Sequence, residues 1–411
     1  MRTSPIVEKR KRVLHIVGDS KFGGGAAVIL RLAEMAQNDG HDVDILSTDA
    51  EMREVFARHG VGLVYLDCIW RNIRPWRDLN GLLRLMRFLR ASDYDLVHTH
   101  TSKGGFVGRI AARLAGIPHI IHTVHGFAFH EESSRTEIRL WSALERLASH
   151  ACDQIVTVSE HHRGWALRLG IGRPDRIHAI PNGLNSNRVV SQSTVASVRA
   201  SIGVEPQDLL LLSTGRLARQ KGLNDLIAAA PILTTQLKQP FKVVIAGDGP
   251  LRSRLEAQAA ELGLKENVLF LGFRQDLGDL LAAADVVVLP SLWEGLSISL
   301  LEAMAAGKAI VTTTIGSNCE ATHQGDAALL VPPHDPRALA VAIETLATNH
   351  ELAKAKGNVA RHIYETCYTP ERMMEGYRLL YRQSPNKHPN KRSSFPASLQ
   401  HQTSGSFGTR Q

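Results

Sequence analysis

At 411 residues, 44% of them hydrophobic, the chain is long enough for two domains and apolar enough to place it among globular α/β proteins. Its formal charge of +8 sits at the ends: residues 1–12 and 384–411 each carry a net +4, so the stretch between them is neutral, which argues against a nucleic-acid-binding core. No apolar run approaches 18 residues, which excludes a membrane-spanning helix, and the four scattered cysteines form neither a C-x-x-C pair nor a disulfide framework, which favours a reducing, cytoplasmic setting.

The N-terminus is basic but has no apolar h-region and is not read as a signal peptide. Residues 13–17 have the length and apolarity of a buried parallel strand. Gly23, Gly24 and Gly25 then permit a tight turn, residues 26–38 read as a helix and 43–47 as the next strand. This is a Rossmann-type unit, but it is not G-x-G-x-x-G and lacks an acidic ribose partner, so a dinucleotide site is disfavoured. A short strand is expected at 63–66. Residues 74–90 form an amphipathic basic helix. Leu79, Leu82, Leu83, Leu85, Met86 and Leu89 share one side; Arg77, Arg84 and Arg87 share the other, with Arg74 at the margin. Arg90 falls within the apolar arc, and Gly81 weakens the helix slightly. The helix is either a layer covering a sheet or a face that meets anionic lipid head groups.

Residues 96–99 and 119–123 read as strands, with a helix over 105–115 between them. Histidines 98, 100, 119, 122, 125 and 130 are divided among two strand ends and a loop, without H-E-x-x-H or a carboxylate at metal spacing, so no metal is expected. His125, just past the carboxyl end of a parallel strand, is placed to contact a ligand, the alternative being a satisfied core histidine. Strand alternation puts His122 on a different side. A strand over 154–159, a helix, a strand over 177–180 and the turn Pro181-Asn182-Gly183 follow, and then 185–197 of linker composition.

In the second half, 209–213 is a strand, followed by TGRLARQKG. Arg216 and Lys221 flank this turn beside a helix start, which suits a diphosphate; a solvated basic loop is the alternative. Strand 242–246 runs into Gly247-Asp248-Gly249-Pro250, a turn whose glycines allow a flat group to approach. Strand 268–270 leads to Gly272-Phe273-Arg274, and the apolar run 286–290 to SLWEGLSISLLEAMAAG, residues 291–307. That stretch is a polar loop, a helix and a stop at Gly307. Backbone N–H groups at the helix start are free to hold an anion. Glu294 in the loop and Glu302 in the helix are spaced to grip hydroxyls at two ends of a nucleotide sugar. The same pair fits an ordinary helix with one dipole partner and one solvated carboxylate. Strands at 310–314 and 329–331, a helix over 336–346 capped by the turn before it, and a terminal helix over 370–383 complete the reading. The tail from residue 384 has a disordered composition.

EGLSISLLEAMAAGKAIV resembles the E-x7-E signature of the retaining glycosyltransferases of family 4, also called group 1. HTHTSKGG, TVHGF, PNG, GR-x4-KG and GDGP resemble further stretches of that family. The resemblance implies the GT-B fold, α/β, with two Rossmann-like domains facing an interdomain cleft. It implies an acceptor-binding domain over 12–185, a donor-binding domain over 200–368, a helix over 369–383 returning to the first domain, and a basic tail over 384–411. It implies transfer from a nucleoside-diphosphate-sugar, with UDP the expected carrier, to a glycan acceptor that is polyprenyl-diphosphate-linked, in exopolysaccharide, capsule or O-antigen synthesis. By the same resemblance, His125 supports the transferring sugar and Gly24 and Gly25 face the cleft near donor phosphate and acceptor. Arg216 and Lys221 neutralise the leaving diphosphate. Glu294 and the backbone of Gly295, Leu296 and Ser297 hold sugar and phosphate, Glu302 holds the ribose, and the loops at Gly249 and Arg274 lie near the nucleobase. No cofactor and no catalytic metal are implied; the two D-x-D strings, at 42–44 and 93–95, sit at strands and are not read as ligands. The tails and the basic helix add peripheral contact with an anionic membrane, the bland alternative for the tails being solubilising ends. A nucleotide-sugar epimerase on the same scaffold and a non-catalytic nucleotide-sugar-binding subunit are the competing readings; no acid–base carboxylate pair in the first half supports the epimerase.

Overall fold

The computed structural model describes residues 10–18, 23–70, 72–184 and 195–383. The tail beyond 383, most of the basic N-terminus and most of the 185–197 linker lie outside the described residues.

The first domain alternates strands and helices: β1 Arg12–Gly18, α1 Gly24–Asn38, β2 Asp42–Ser47, α2 Ala50–Arg58, β3 Gly62–Val64, α3 Pro75–Arg90, β4 Leu96–His100, α4 Ser102–Ala115, β5 His119–Val124, α5 Arg135–Ser149, β6 Gln154–Thr157, α6 Glu160–Arg168 and β7 Ile177–Ala179. The sheet order is β3-β2-β1-β4-β5-β6-β7, with every pairing parallel. The second domain repeats the plan. It runs α7 Val195–Ser201, β8 Leu209–Thr214, a 3-10 turn at Arg219–Lys221, α8 Leu223–Gln236, β9 Phe241–Ala246, α9 Arg252–Glu261, β10 Val268–Gly272, α10 Leu277–Ala283, β11 Val286–Leu289, α11 Ile298–Ala305, β12 Ala309–Thr313, α12 Gly316–Ala321, β13 Leu329–Val331, α13 Pro336–Thr348 and α14 His350–Cys367. Its parallel sheet has the order β10-β9-β8-β11-β12-β13.

Both orders reverse direction once, between β1 and β4 and between β8 and β11. A parallel sheet splits its loops apart at such a point, which leaves a crevice at the carboxyl ends of the strands. The four loops at the two crevices are the glycine loop after β1, the HTHTSKGG segment after β4, GRLARQKG after β8 and SLWEG after β11. The two D-x-D strings lie at the opposite ends of the strands: Asp44 accepts from Tyr94 Oη at 2.7 Å, and Asp95 accepts from Arg12 N–H at 2.9 Å.

The last helix, α15 Pro370–Arg382, returns to the first domain. Met373, Tyr377, Leu380 and Tyr381 are buried in one cluster with Val13, Ile29 and Ile121. Gly183 of the PNG turn makes the crossing tight, since a Cβ there would lie 2.3 Å from the Thr369 carbonyl oxygen.

The structure adds helices absent from the sequence reading, α2, α10, α12 and the 18-residue α14 among them. Helix α5 was not anticipated, although its capping box is legible: Ser134 accepts from Glu137 N–H and Glu137 accepts from Ser134 N–H at 2.9 Å. In α3, Leu79 is exposed despite its place in the apolar arc, and only Gly81, Leu85 and Leu89 are buried. Gly81 is there for packing, since a Cβ would sit 2.1 Å from the Cys68 carbonyl oxygen.

Candidate active site

Strand β11 delivers the chain into the loop SLWEG, read as polar in the sequence and largely buried in the structure. Ser291, Leu292, Glu294, Leu296 and Ser297 are all buried. Ser297 starts α11 by accepting from Leu300 N–H, while Leu296 points into the second domain's core, leaving only its backbone for a ligand. Glu294 retains 9% of its surface, and burying a carboxylate demands partners. It has three: Lys221 Nζ at 2.5 Å, Gln220 Nε2 at 2.9 Å and Ser291 Oγ at 3.0 Å.

The GRLARQKG turn supplies two of these because of its glycines. Gly222 adopts φ +60°, and a Cβ there would lie 2.0 Å from the Pro290 carbonyl oxygen. The turn therefore lies directly against β11's exit, and Leu292 N–H donates to Gln220 O at 2.8 Å. Gly215, at φ +134°, lies beside both the Lys221 stem and Ser299 of α11's first turn. Arg216 is exposed and has no ion-pair partner among the described residues. An ammonium and a helix N-terminus thus meet where an anion is stabilised, and exposed Arg216 follows Gly215 directly in the same turn. Glu302, in the second turn of α11, is half-buried.

The first domain closes on this unit. A Cβ on Gly295 would lie 2.2 Å from the His125 carbonyl oxygen, and one on Gly24 would lie 3.2 Å from Ile298. The start of α11 is thereby bracketed by His125 and Gly24, whereas a Cβ on Gly25 would meet nothing within 4 Å. Further out, the His130 ring stacks on Trp293 at 3.7 Å, and Glu132 takes His334 Nε2 at 2.6 Å with Arg219 3.6 Å away. Glu320 of α12 accepts the N–H groups of Glu160 and His161 at the start of α6, at 2.8 and 2.6 Å. Burial raises the Glu320 pKa, against those two hydrogen bonds.

His125 Nε2 lies 3.2 Å from His100 Nδ1, and its own Nδ1 is buried without a partner among the described residues. Burial lowers the His125 pKa to about 4 and that of His15 to about 3, and holds His98 and His100 well below the usual imidazole range. These rings are neutral at pH 7. His122 faces the other way, hydrogen-bonded to Thr99 under Gly105 of α4. Nitrogens of His15, His98 and His100 lie within 4.8 Å of one another, a spacing that would admit a metal ion. Each ring already has hydrogen-bond partners on both nitrogens, which a metal would have to displace.

The two loops expected near the nucleobase also make contacts within the protein. Arg274 is bound by both oxygens of Asp276 at 2.8 and 2.6 Å, which leaves its loop's backbone as the available surface. Gly249 is glycine for a protein contact, since a Cβ would sit 2.4 Å from the Leu217 carbonyl oxygen. Sequence reasoning missed Gln220, Ser291 and Trp293 at the site, and His15, Tyr377 and Tyr381 behind it. His15 carried a signal, a polar residue in the middle of a buried apolar strand.

Two family descriptions match the chain: "Glycosyl transferase 4-like domain" over residues 23–183 and "Glycosyl transferases group 1" over residues 196–363. The chain is 32% identical over 324 residues to the Escherichia coli UDP-Gal:alpha-D-GlcNAc-diphosphoundecaprenol alpha-1,3-galactosyltransferase, covering 78% of this chain and 84% of that one. It is 30% identical to the putative glycosyltransferase EpsD of Bacillus subtilis, covering 68% and 74%. In fold it is similar to Anabaena HepE, solved in complex with UDP and glucose, with a TM-score of 0.77 at 23% identity over 90% of this chain and 99% of that one.

Proposed function

Because the chain belongs to the group 1 glycosyltransferases of family 4 and is a GT-B enzyme, we propose that it moves a sugar, with retention, from a UDP-sugar to a polyprenyl-diphosphate-linked glycan. One observation carries the donor reading: Lys221 and the start of α11 meet beside buried Glu294 and against the His125 backbone, in a turn that also carries exposed Arg216. The diphosphate lies at the α11 N-terminus, where backbone N–H groups of 295–297 and the two cations stabilise the charge that develops on departure. The cations supply what a metal supplies elsewhere, so transfer persists in a chelator. On arrival the diphosphate draws Lys221 from Glu294, whose freed oxygens then accept sugar hydroxyls. Glu302 holds the ribose. His125 hydrogen-bonds the transferring sugar, and the acceptor attacks from the face the leaving group vacates. The acceptor assignment rests on the named activity of the Escherichia coli relative.

The test is thermal stability with UDP, GDP, ADP and no nucleotide, for wild type and Arg216→Ala. Specific binding raises stability by mass action, by about 2.7 kcal/mol at a hundredfold excess over Kd. The expected outcome is a shift with UDP that Arg216→Ala loses. No shift with any nucleotide would overturn the donor site. A donor panel with a GlcNAc-diphosphopolyprenol acceptor, followed by the product's anomeric configuration by NMR, then tests acceptor and stereochemistry.

A further inference from the structure

Seven side chains form one hydrogen-bonded chain from the C-terminal helix to the cleft. Tyr377 Oη lies 3.0 Å from Thr123 Oγ1, which lies 2.8 Å from His98 Nε2. His98 Nδ1 lies 2.8 Å from Tyr381 Oη, which lies 3.5 Å from His15 Nε2. His15 Nδ1 lies 3.0 Å from His100 Nε2, and His100 Nδ1 lies 3.2 Å from His125 Nε2. His15, His98, His100, Thr123, Tyr377 and Tyr381 are all buried, and α15 reaches them from the far side of the second domain's sequence.

The proton count decides the direction of this chain. Each neutral imidazole and each hydroxyl carries one hydrogen, so seven groups bring seven hydrogens to six links. One hydrogen is left over. A reversal between two rings would set two hydrogens or two lone pairs against each other, and a reversal at Thr123 or Tyr381, whose oxygen would accept from both sides, would leave that hydroxyl's own hydrogen sealed in the core, so the surplus goes to one end. At the inner end it would be the Tyr377 hydroxyl hydrogen, sealed at 0% exposure with Thr123 its only partner among the described residues. At the outer end it is a hydrogen on His125 Nδ1, an atom buried without a partner among the described residues but carried by a half-buried residue whose own carbonyl oxygen borders Gly295, so an oxygen that enters beside the ring can accept it.

We propose that Tyr377, Thr123, His98, Tyr381, His15 and His100 are positioning residues that fix His125 in the Nδ1–H tautomer, a hydrogen-bond donor to the sugar or acceptor oxygen rather than a base. The polarity runs from Tyr377 outward: each group accepts on the side of α15 and donates on the side of the cleft. Burial keeps every imidazole neutral, as the count requires. A helix distant in sequence thereby holds the catalytic-side tautomer. The tautomer follows from the fold alone; its use in catalysis rests on the transferase reading above.

The experiment is a long-range 1H–15N imidazole NMR spectrum of the full chain labelled at histidine, with the His125 signals identified by their loss in His125→Gln. The expected result is a protonated Nδ1 and a bare Nε2 on His125 in the wild type, before any substrate is added. A protonated Nε2 would overturn the proposal whatever the enzyme's activity. Tyr381→Phe breaks the chain and is expected to mix the two tautomers of His125 and lower kcat about tenfold, with donor KM little changed. His100→Asn, whose amide can donate to His125 Nε2, is expected to keep the wild-type tautomer, whereas His100→Phe loses it. An unchanged His125 spectrum in both Tyr381→Phe and His100→Phe would equally overturn the proposal. Absence of activity with the Nδ1–H form intact would count against the transferase role of His125 and leave the tautomer assignment standing.

Discussion

Lys221 Nζ lies 2.5 Å from Glu294 Oε1, so the cation placed for the diphosphate and the carboxylate placed for the sugar neutralise each other. The pair lies largely out of water, with side-chain exposures of 17% and 7%. Removing one partner strands the other charge, which costs more than the pair contributes. Lys221→Met is expected to lower stability by about 2–4 kcal/mol in denaturant titration. Lys221→Met with Glu294→Gln is expected to recover most of that loss while transfer stays depressed by about a hundredfold or more. Recovery of activity along with stability would show the pair to be purely structural.

The contact of His130 with Trp293, flanked by the Glu132 contacts to His334 and Arg219, clasps the two domains at the cleft mouth. His130→Ala with Glu132→Ala is expected to open the cleft, seen as a larger radius of gyration by small-angle scattering, and to lower kcat about tenfold. An unchanged radius and rate would show that other interdomain contacts, such as those of Gly295 with His125 and Glu320 with α6, suffice.

Buried neutral histidines make stability depend on pH with a definite sign. Their folded pKa values are lowered by burial, to about 3 for His15 and about 4 for His119, His125 and His162, from 6.5 when exposed. The unfolded chain then binds more protons than the folded one below pH 6.5. Their contribution is complete above pH 6.5 and is lost progressively as the pH falls toward the folded values. At pH 5.5 each such ring lowers stability by about 1 kcal/mol relative to pH 7.5. Thermal melts from pH 7.5 to 5.5 are expected to show a steep fall in Tm, and a flat profile would contradict the neutral network.

The outer face of α3 carries exposed Arg74, Arg77, Arg84 and Arg87, with Ile73, Trp76 and Leu79 exposed beside them at 64%, 83% and 50%. Arg77 also lies over the Trp70 ring at 4.1 Å. Basic and aromatic side chains together suit a bilayer interface, each cation contributing about 1 kcal/mol at an anionic surface. Arg77→Gln, Arg84→Gln and Arg87→Gln together are expected to reduce sedimentation with phosphatidylserine-containing vesicles by tenfold or more, and to leave vesicles of neutral lipid unaffected. Undiminished sedimentation would remove α3 as the anchor.

Most of the fold was legible because its signals are local. Apolar runs of strand length, the GRLARQKG and GDGP turns at strand ends, and the stop at Gly307 each act within a few residues. The strands and the loops at their ends follow from such signals; the two facing domains followed from the family resemblance of those loops. The charged and catalytic-type residues were also visible as residue types at strand ends: His125, Arg216, Lys221, Glu294 and Glu302. Less legible was the reason for each glycine. Gly81, Gly249 and Gly295 admit neighbouring backbone, and the neighbour lies elsewhere in the sequence.

Taken by itself, the sequence determined the α/β plan, the order of its strands and which side chains arrive at the crevices. Only the tertiary structure decided what those side chains meet. Glu294 and Lys221 are 73 positions apart, His15 and His100 are 85, and His98 and Tyr381 are 283. Such pairs are set by sheet register, by the crossover at each switch point and by α15 returning across the first domain. Hydrogen-bond partners inside a core are chosen by that long-range packing, because a buried polar group must be satisfied by whatever the fold brings within about 3 Å.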